Sequence, residues 1–160
     1  MISIRTLQDD DAEYIVKYNE NTDENFLNQW GGGRFYTYPL TVEQIINRIK
    51  NKDNTRYFAI LNDGLMIGAV ELDFIDWDNK KCNVCRFLIE EKSRGHGYGT
   101  EALKLVTQYA LDELHMKNVY LSVFDFNKNA LRCYEKAGYK IISQEVRTNG
   151  WLAYKMEYIA

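Results

Sequence analysis

The chain has 160 residues, which fits one domain over 1–160 and buries roughly 70% of its unfolded surface. With 46% hydrophobic and 27% charged residues and one proline, it is not a disordered, collagen-like or proline-rich chain. The net charge of −3 argues against a nucleic-acid partner, and no apolar run approaches the ~20 residues that cross a bilayer.

Ile2 to Leu7 alternates and opens the fold as a strand. The start, MISIRTLQDDDAEY, has no basic-then-apolar leader, so neither secretion nor a membrane partner is expected and a cytoplasmic location is. Asp9 to Asp11 are acidic where a helix would start, and Ala12, Ile15, Val16 and Asn19 continue it. Residues 22–40 are less regular. Gly31-Gly32-Gly33 lies among Phe26, Trp30, Phe35, Tyr36 and Tyr38, which suggests a mobile, sticky loop. Thr41 with Gln44 matches a capping box, and Ile45, Ile46 and Ile49 form the helix face that follows.

Arg56 to Leu61 reads as a strand, Asn62-Asp63-Gly64 as a turn, and Leu65 to Ile75 as its antiparallel partner. Cys82 to Glu90 is a third strand, followed by a glycine-rich loop at Gly95–Gly99 and a long helix from Thr100 to Leu114. Val119 to Phe124 is a strand, and a helix runs from about Asn127 to Ala137, stopping at Gly138. Tyr139–Val146 and Trp151–Tyr158 close the fold as a hairpin. The fold class is α/β, with a central mixed sheet of about six to seven strands and helices on both faces. The strands flanking the 100–114 helix should be parallel neighbours with a right-handed crossover.

Cys82 and Cys85 have the spacing of a metal or redox half-motif. On a strand, however, residues three apart face opposite ways, so no metal site is expected. Three cysteines and no leader suit a reducing compartment.

Arg94-Gly-His-Gly-Tyr-Gly99 sits between a strand and a helix start, where backbone amides lack helical partners. Glycine lets a ligand approach, so a phosphate or pyrophosphate site is expected. The Gly-Lys-Ser/Thr of a nucleotide P-loop is absent, and the third glycine of a dinucleotide fingerprint is replaced by Thr100. Asp125, at the end of the next strand, keeps dinucleotide binding open.

Arg94-x-x-Gly97-x-Gly99 resembles the Q/R-x-x-G-x-G/A signature of the GNAT superfamily of N-acetyltransferases. Asn127-x-x-Ala130-x-x-x-Tyr134-x-x-x-Gly138-Tyr139 resembles that family's second motif, and the element order matches over essentially the whole chain. Within the family, Trp30 to Leu40 and the capped helix after it look most like the RimJ/RimL-type and related small-amine branch. The resemblance implies a GNAT-like fold and an acetyl-CoA-dependent N-acetyltransferase acting by direct attack in a ternary complex.

On that resemblance, residues Arg94, Gly95, His96, Gly97, Tyr98, Gly99 and Thr100 hold the pyrophosphate of acetyl-CoA. Phe87, Leu88 and Ile89 pair with the pantetheine arm beside a splayed gap, and the Phe87 amide donates to the thioester carbonyl. Tyr134 is the general acid, a phenol with a pKa of about 10. Asn127 is either a helix cap or a pantetheine partner. Carboxylates that some relatives use as base are replaced by Asn83 and Ser122, which leaves Glu71 as local candidate. Glu71 and Asp73 are expected to share a strand face with Ile67 and Ala69. A salt bridge and a water relay are the alternatives to Glu71 as base. Trp30, Phe35, Tyr36 and Tyr38 would wall the acceptor pocket, with a core or dimer contact as the alternative. Cys133, turned about 100° from Tyr134 on the helix, is not expected to carry an acetyl group. The acceptor is expected to be a small amine. A protein N-terminus, or a CoA-binding sensor without turnover, remains open, as do monomer and homodimer.

Overall fold

The computed structural model describes residues 1–31 and 35–159. The chain opens with β1 (Ile2–Thr6), a 3-10 turn at Asp9–Asp11, and helices α1 (Ala12–Tyr18), α2 (Glu24–Gly31) and α3 (Val42–Ile49). Strands β2 (Arg56–Asn62), β3 (Leu65–Asp76) and β4 (Lys81–Ile89) follow. The second half holds α4 (Tyr98–Asp112), β5 (Asn118–Phe124), α5 (Lys128–Lys136), β6 (Tyr139–Val146) and β7 (Leu152–Tyr158). The seven strands form one sheet in the order β1-β2-β3-β4-β5-β7-β6. Among the described residues only β4 and β5 run parallel, joined through α4 as the crossover predicts.

Two cores cover the two faces of the sheet. Leu103, Val106 and Ala110 of α4 pack with Val70, Leu72, Val84 and Leu121 on one face. Ile15 of α1, Leu27 of α2, and Ile45 and Ile49 of α3 pack with Tyr57, Ala69 and Leu88 on the other. The amphipathic spacing seen in the sequence thus resolves into opposite layers, because each helix has only one stripe to bury.

Three features differ from the sequence reading. Residues 24–31 are helical rather than loop. Asp23 Oδ1 accepts from the Phe26 amide at 2.9 Å, and Leu27 is buried. Gly31 ends that helix, and Gly32 and Gly33 lie outside the described residues. Thr41 does cap α3 by accepting from the Gln44 amide. The Gln44 side chain instead bonds the backbone of Thr37 and Pro39, securing the preceding segment. Finally, Ile67 packs in the α4-side core, whereas Ala69 packs in the other. A register shift opposite Ile60/Leu61 moves it across the sheet.

Candidate active site

β4 carries one more residue than β3 where they pass. Ala69 faces Leu88 but Glu71 faces Cys85, so two residues of β4, Arg86 and Phe87, oppose Val70 alone. Arg86 has φ 47°, the left-handed geometry of a bulge. The bulge reverses the alternation: Val84 and Phe87 both pack toward the α4 core, while Leu88 enters the other.

On its other edge β4 pairs with β5 only from Lys81–Asn118 to Val84–Leu121. The β5-facing backbone from Cys85 to Ile89 therefore has no strand partner. Buried backbone groups are nearly always paired, so such an edge is fitted to take an extended ligand. The Phe87 ring lies edge-on to the Tyr134 ring with centroids 6.1 Å apart, which puts the second motif beside this opening.

The glycine-rich loop continues from the open end of β4. Arg94 Nε donates to the Ile89 carbonyl at 2.8 Å and fastens the loop to the strand. Gly95 and Gly97 both have φ 80°, and Gly97 is the N-cap of α4. A Cβ at either position would meet nothing within 4 Å, so the loop faces open space. α4 begins at Tyr98, two residues earlier than expected, and its first backbone bond runs from the Glu101 amide to the Gly97 carbonyl. No acceptor meets the amides of 95 to 100 among the described residues. They lie at the N-terminal end of a 15-residue helix, where the helix dipole favours an anion. His96 is exposed, with its ring 5.4 Å from that of Tyr98.

Helix α5 holds Tyr134 beside the gap. Asn127 caps this helix, its Oδ1 accepting from the Ala130 amide at 3.3 Å. Burial pushes the Tyr134 phenol above its ordinary range, so it stays protonated at neutral pH. The Cys133 thiol accepts from Thr100 Oγ1 at 3.3 Å, and burial pushes it up as well. A thiol so placed is a poor nucleophile. Cys82 is buried in the α4-side core, while Cys85 faces the other side opposite Glu71. Among the described residues no cluster of His, Cys, Asp or Glu could hold a metal ion.

Glu71 is not an open carboxylate. Its Oε1 accepts from Arg86 Nε at 2.7 Å and Arg48 Nη2 at 3.0 Å. Asp73 Oδ2 accepts from Arg48 at 2.9 Å and is bonded by Arg86 Nη2 as well. Thr55 donates to Asp73 Oδ1, and the Phe35 ring stacks under both guanidinium groups at 4.1 and 4.2 Å. Burial pushes the Glu71 carboxyl up, opposed by Arg86 and Arg48. The sequence reading held a salt bridge open for Glu71 but named neither Arg86 nor Arg48 as its partner. The signal was an arginine inside the apolar run Val84–Ile89, beside a strand carrying two acids.

The four aromatic candidates separate. Tyr36 is buried in the core, 5.8 Å from the Trp30 ring, and the Trp30 indole donates to Asn19 Oδ1. Tyr38 is exposed. Phe35 alone of the four lines a cleft of about 730 Å³, with Arg48, Asp53, Asp73, Asp76 and Trp77. Asn79 holds the Asp76 carboxyl below its ordinary range, so the rim stays anionic.

Comparison with known proteins agrees with this geometry. The family described as the acetyltransferase (GNAT) domain matches residues 2–140. A probable N-acetyltransferase of Bacillus subtilis, YjcK, is 31% identical over 161 residues, covering 93% of this chain and 87% of that protein. A spermine/spermidine N(1)-acetyltransferase of Bacillus subtilis is 36% identical over 77 residues, 47% of this chain; the chain spans half the length of that relative, 50%. In fold, the chain superposes on the spermidine N-acetyltransferase of Vibrio cholerae, solved in complex with CoA and spermine. The TM-score is 0.82 at 20% identity, with 98% of this chain and 94% of that one covered.

Proposed function

The chain belongs to the GNAT acetyltransferase family, whose co-substrate is acetyl-CoA, and from that premise we propose that it acetylates a primary amine of a small cationic molecule by direct attack in a ternary complex. One observation carries the reading: the unpartnered amides of 95–100 adjoin a β4 edge that β5 has abandoned. A diphosphate followed by an extended amide-bearing arm needs that sequence of groups.

The amides from Gly95 to Thr100 hold the pyrophosphate, the Arg94 amide being spent on the Glu91 carbonyl, and the backbone of Phe87, Leu88 and Ile89 pairs with the pantetheine arm. Acetyl-CoA supplies an activated acyl carbon and a thiolate leaving group. The Phe87 amide donates to the carbonyl oxygen, where charge grows as the amine attacks. Tyr134 gives a hydrogen bond to the departing sulfur. Tyr134, protonated at neutral pH, gives its proton to that sulfur as general acid, and the proton shed by the amine restores the phenol through water. Asn127 is committed to its cap and supports Tyr134 by starting α5. Glu71 is committed to two arginines, and water takes the role of base.

The acceptor side rests on the acidic cleft. Asp53, Asp76 and Asp78 line it with Trp77 and Phe35, a setting that attracts ammonium groups and stacks alkyl chains. Relatives named as spermine and spermidine acetyltransferases support a polyamine-like acceptor.

The test pairs calorimetry with a thiol-release assay over spermine, spermidine, simple diamines, amino acids and a peptide with a free N-terminus. We expect one acetyl-CoA site per chain and the fastest release with polyamines. Binding without release from any acceptor would make the chain a CoA-binding module. Preference for the peptide would replace the small amine by a protein N-terminus.

A further inference from the structure

The buried quartet lies on the face of the sheet away from α4, whereas the Phe87 ring packs on the α4 side. The bulge at Arg86 connects them. In a regular strand residue 86 would share the face of Val84 and point into the apolar core beneath α4. A guanidinium there would be desolvated and unpaired, which is prohibitive. On the opposite face two carboxylates and the Phe35 ring await it. Reaching that face takes one extra residue in β4, and this is what the register shows.

The network is also bracketed by irregular backbone. Phe74, next to Asp73, has φ 52° and inserts a second extra residue, this time in β3. Its amide donates back to Asp73 Oδ1 at 2.7 Å. Past the bulge, β4 presses on β3: a Cβ on Gly68 would lie 2.2 Å from the Leu88 carbonyl oxygen. The strand therefore has little freedom to slide once Arg86 is anchored.

We infer that Arg86 is a positioning residue: its pairing with Glu71 and Asp73 enforces the bulge that turns Phe87 toward Tyr134 and aims the Phe87 amide into the gap beside β5. The inference rests on the proposed function, because the aim of that amide matters to turnover only if the thioester sits there. Buried ion pairs seldom add net stability over apolar packing. Selecting one strand register over its one-residue slip gives this one a role, since a slip would reverse every side chain beyond it.

Glycine and alanine at position 86 separate positioning from mere stability. Both Arg86→Gly and Arg86→Ala remove the guanidinium and leave the same acids short of a partner. Only glycine accepts φ 47° without strain. We expect the two variants to melt within a few degrees of each other, while Arg86→Ala falls about tenfold below Arg86→Gly in kcat. Arg86→Lys keeps the charge, and with it the fold, but not the two-pronged grip. It should lose about tenfold in kcat with the acetyl-CoA dissociation constant within about twofold of the unaltered protein. An unaltered kcat for Arg86→Ala or for Arg86→Lys overturns the inference. The Phe87 amide resonance gives a readout free of catalysis. It should move in Arg86→Ala far more than in Arg86→Gly, and equal movement also overturns the inference. If the unaltered protein neither binds nor turns over acetyl-CoA, the proposed function falls, and this resonance still decides whether Arg86 sets the bulge.

Discussion

The two edges of β4 are opposites. Toward β3 the strand is paired from Asn83 to Ile89, and the charged side chains there are matched acid to base, with Phe35 stacked beneath. Toward β5 the ladder stops at Val84, and among the described residues no strand pairs with the backbone beyond it, where Arg94 Nε meets the Ile89 carbonyl. Buried polar groups that meet partners signal architecture, and in the quartet every carboxylate is matched to a guanidinium although Arg48 Nε itself meets no acceptor among the described residues. Glu71, which the sequence offered as a catalytic base with a salt bridge as an alternative, is paired with two arginines, while Phe87, which the family resemblance gave as a donor to the thioester, lies beside the open edge.

Perturbing each edge in turn tests the contrast. Glu71→Ala, on the saturated edge, leaves two buried guanidinium groups with one carboxylate. It should cost about 3–5 kcal/mol in urea unfolding, the largest effect expected. A loss under 1 kcal/mol would mean that the quartet is well hydrated. Tyr134→Phe, on the open edge, should lower kcat about 100-fold or more while leaving acetyl-CoA affinity and melting temperature nearly unchanged. Unaltered turnover would remove Tyr134 from the chemistry. Gly97→Ala forces a side chain onto φ 80° at the start of α4. It should weaken acetyl-CoA binding by about tenfold in calorimetry, equivalent to about 1–2 kcal/mol. Unchanged affinity would exclude the loop as the pyrophosphate site. Asn127→Ala should be mildest, costing about 1 kcal/mol of stability through the lost cap. If acetyl-CoA affinity falls further than stability, the Asn127 side chain also touches the pantetheine arm.

Much of the fold is legible in the residues. Alternation set the strands, Gly138 ended α5, and the glycine run set the loop before α4, whereas the role expected of Tyr134 came from the family resemblance. Helix α2 was obscured because Gly31 to Gly33 and the nearby aromatics outweighed the pattern of Phe26, Leu27 and Trp30 behind Asp23. The face of Ile67 was misjudged because a bulge has no signature in a string of apolar residues. Phe35, Trp30, Tyr36 and Tyr38 share one composition signal, yet they go to a cation stack, a half-buried indole bonded to Asn19, the core and the exterior.

The sequence by itself determined the elements other than α2, their order and the glycine-rich loop, because these depend on contacts within one strand, helix or turn. The tertiary structure alone decided what each polar group is for. Glu71 and Arg86 lie 15 residues apart, and only the pairing of β3 with β4 brings them to hydrogen-bonding distance in a setting too dry for either charge alone. Likewise the free edge of β4 arises because β5, which starts at Asn118, 34 residues after Val84, diverges after four paired positions. Function follows from which partners are absent, and absence becomes visible only once the chain is folded.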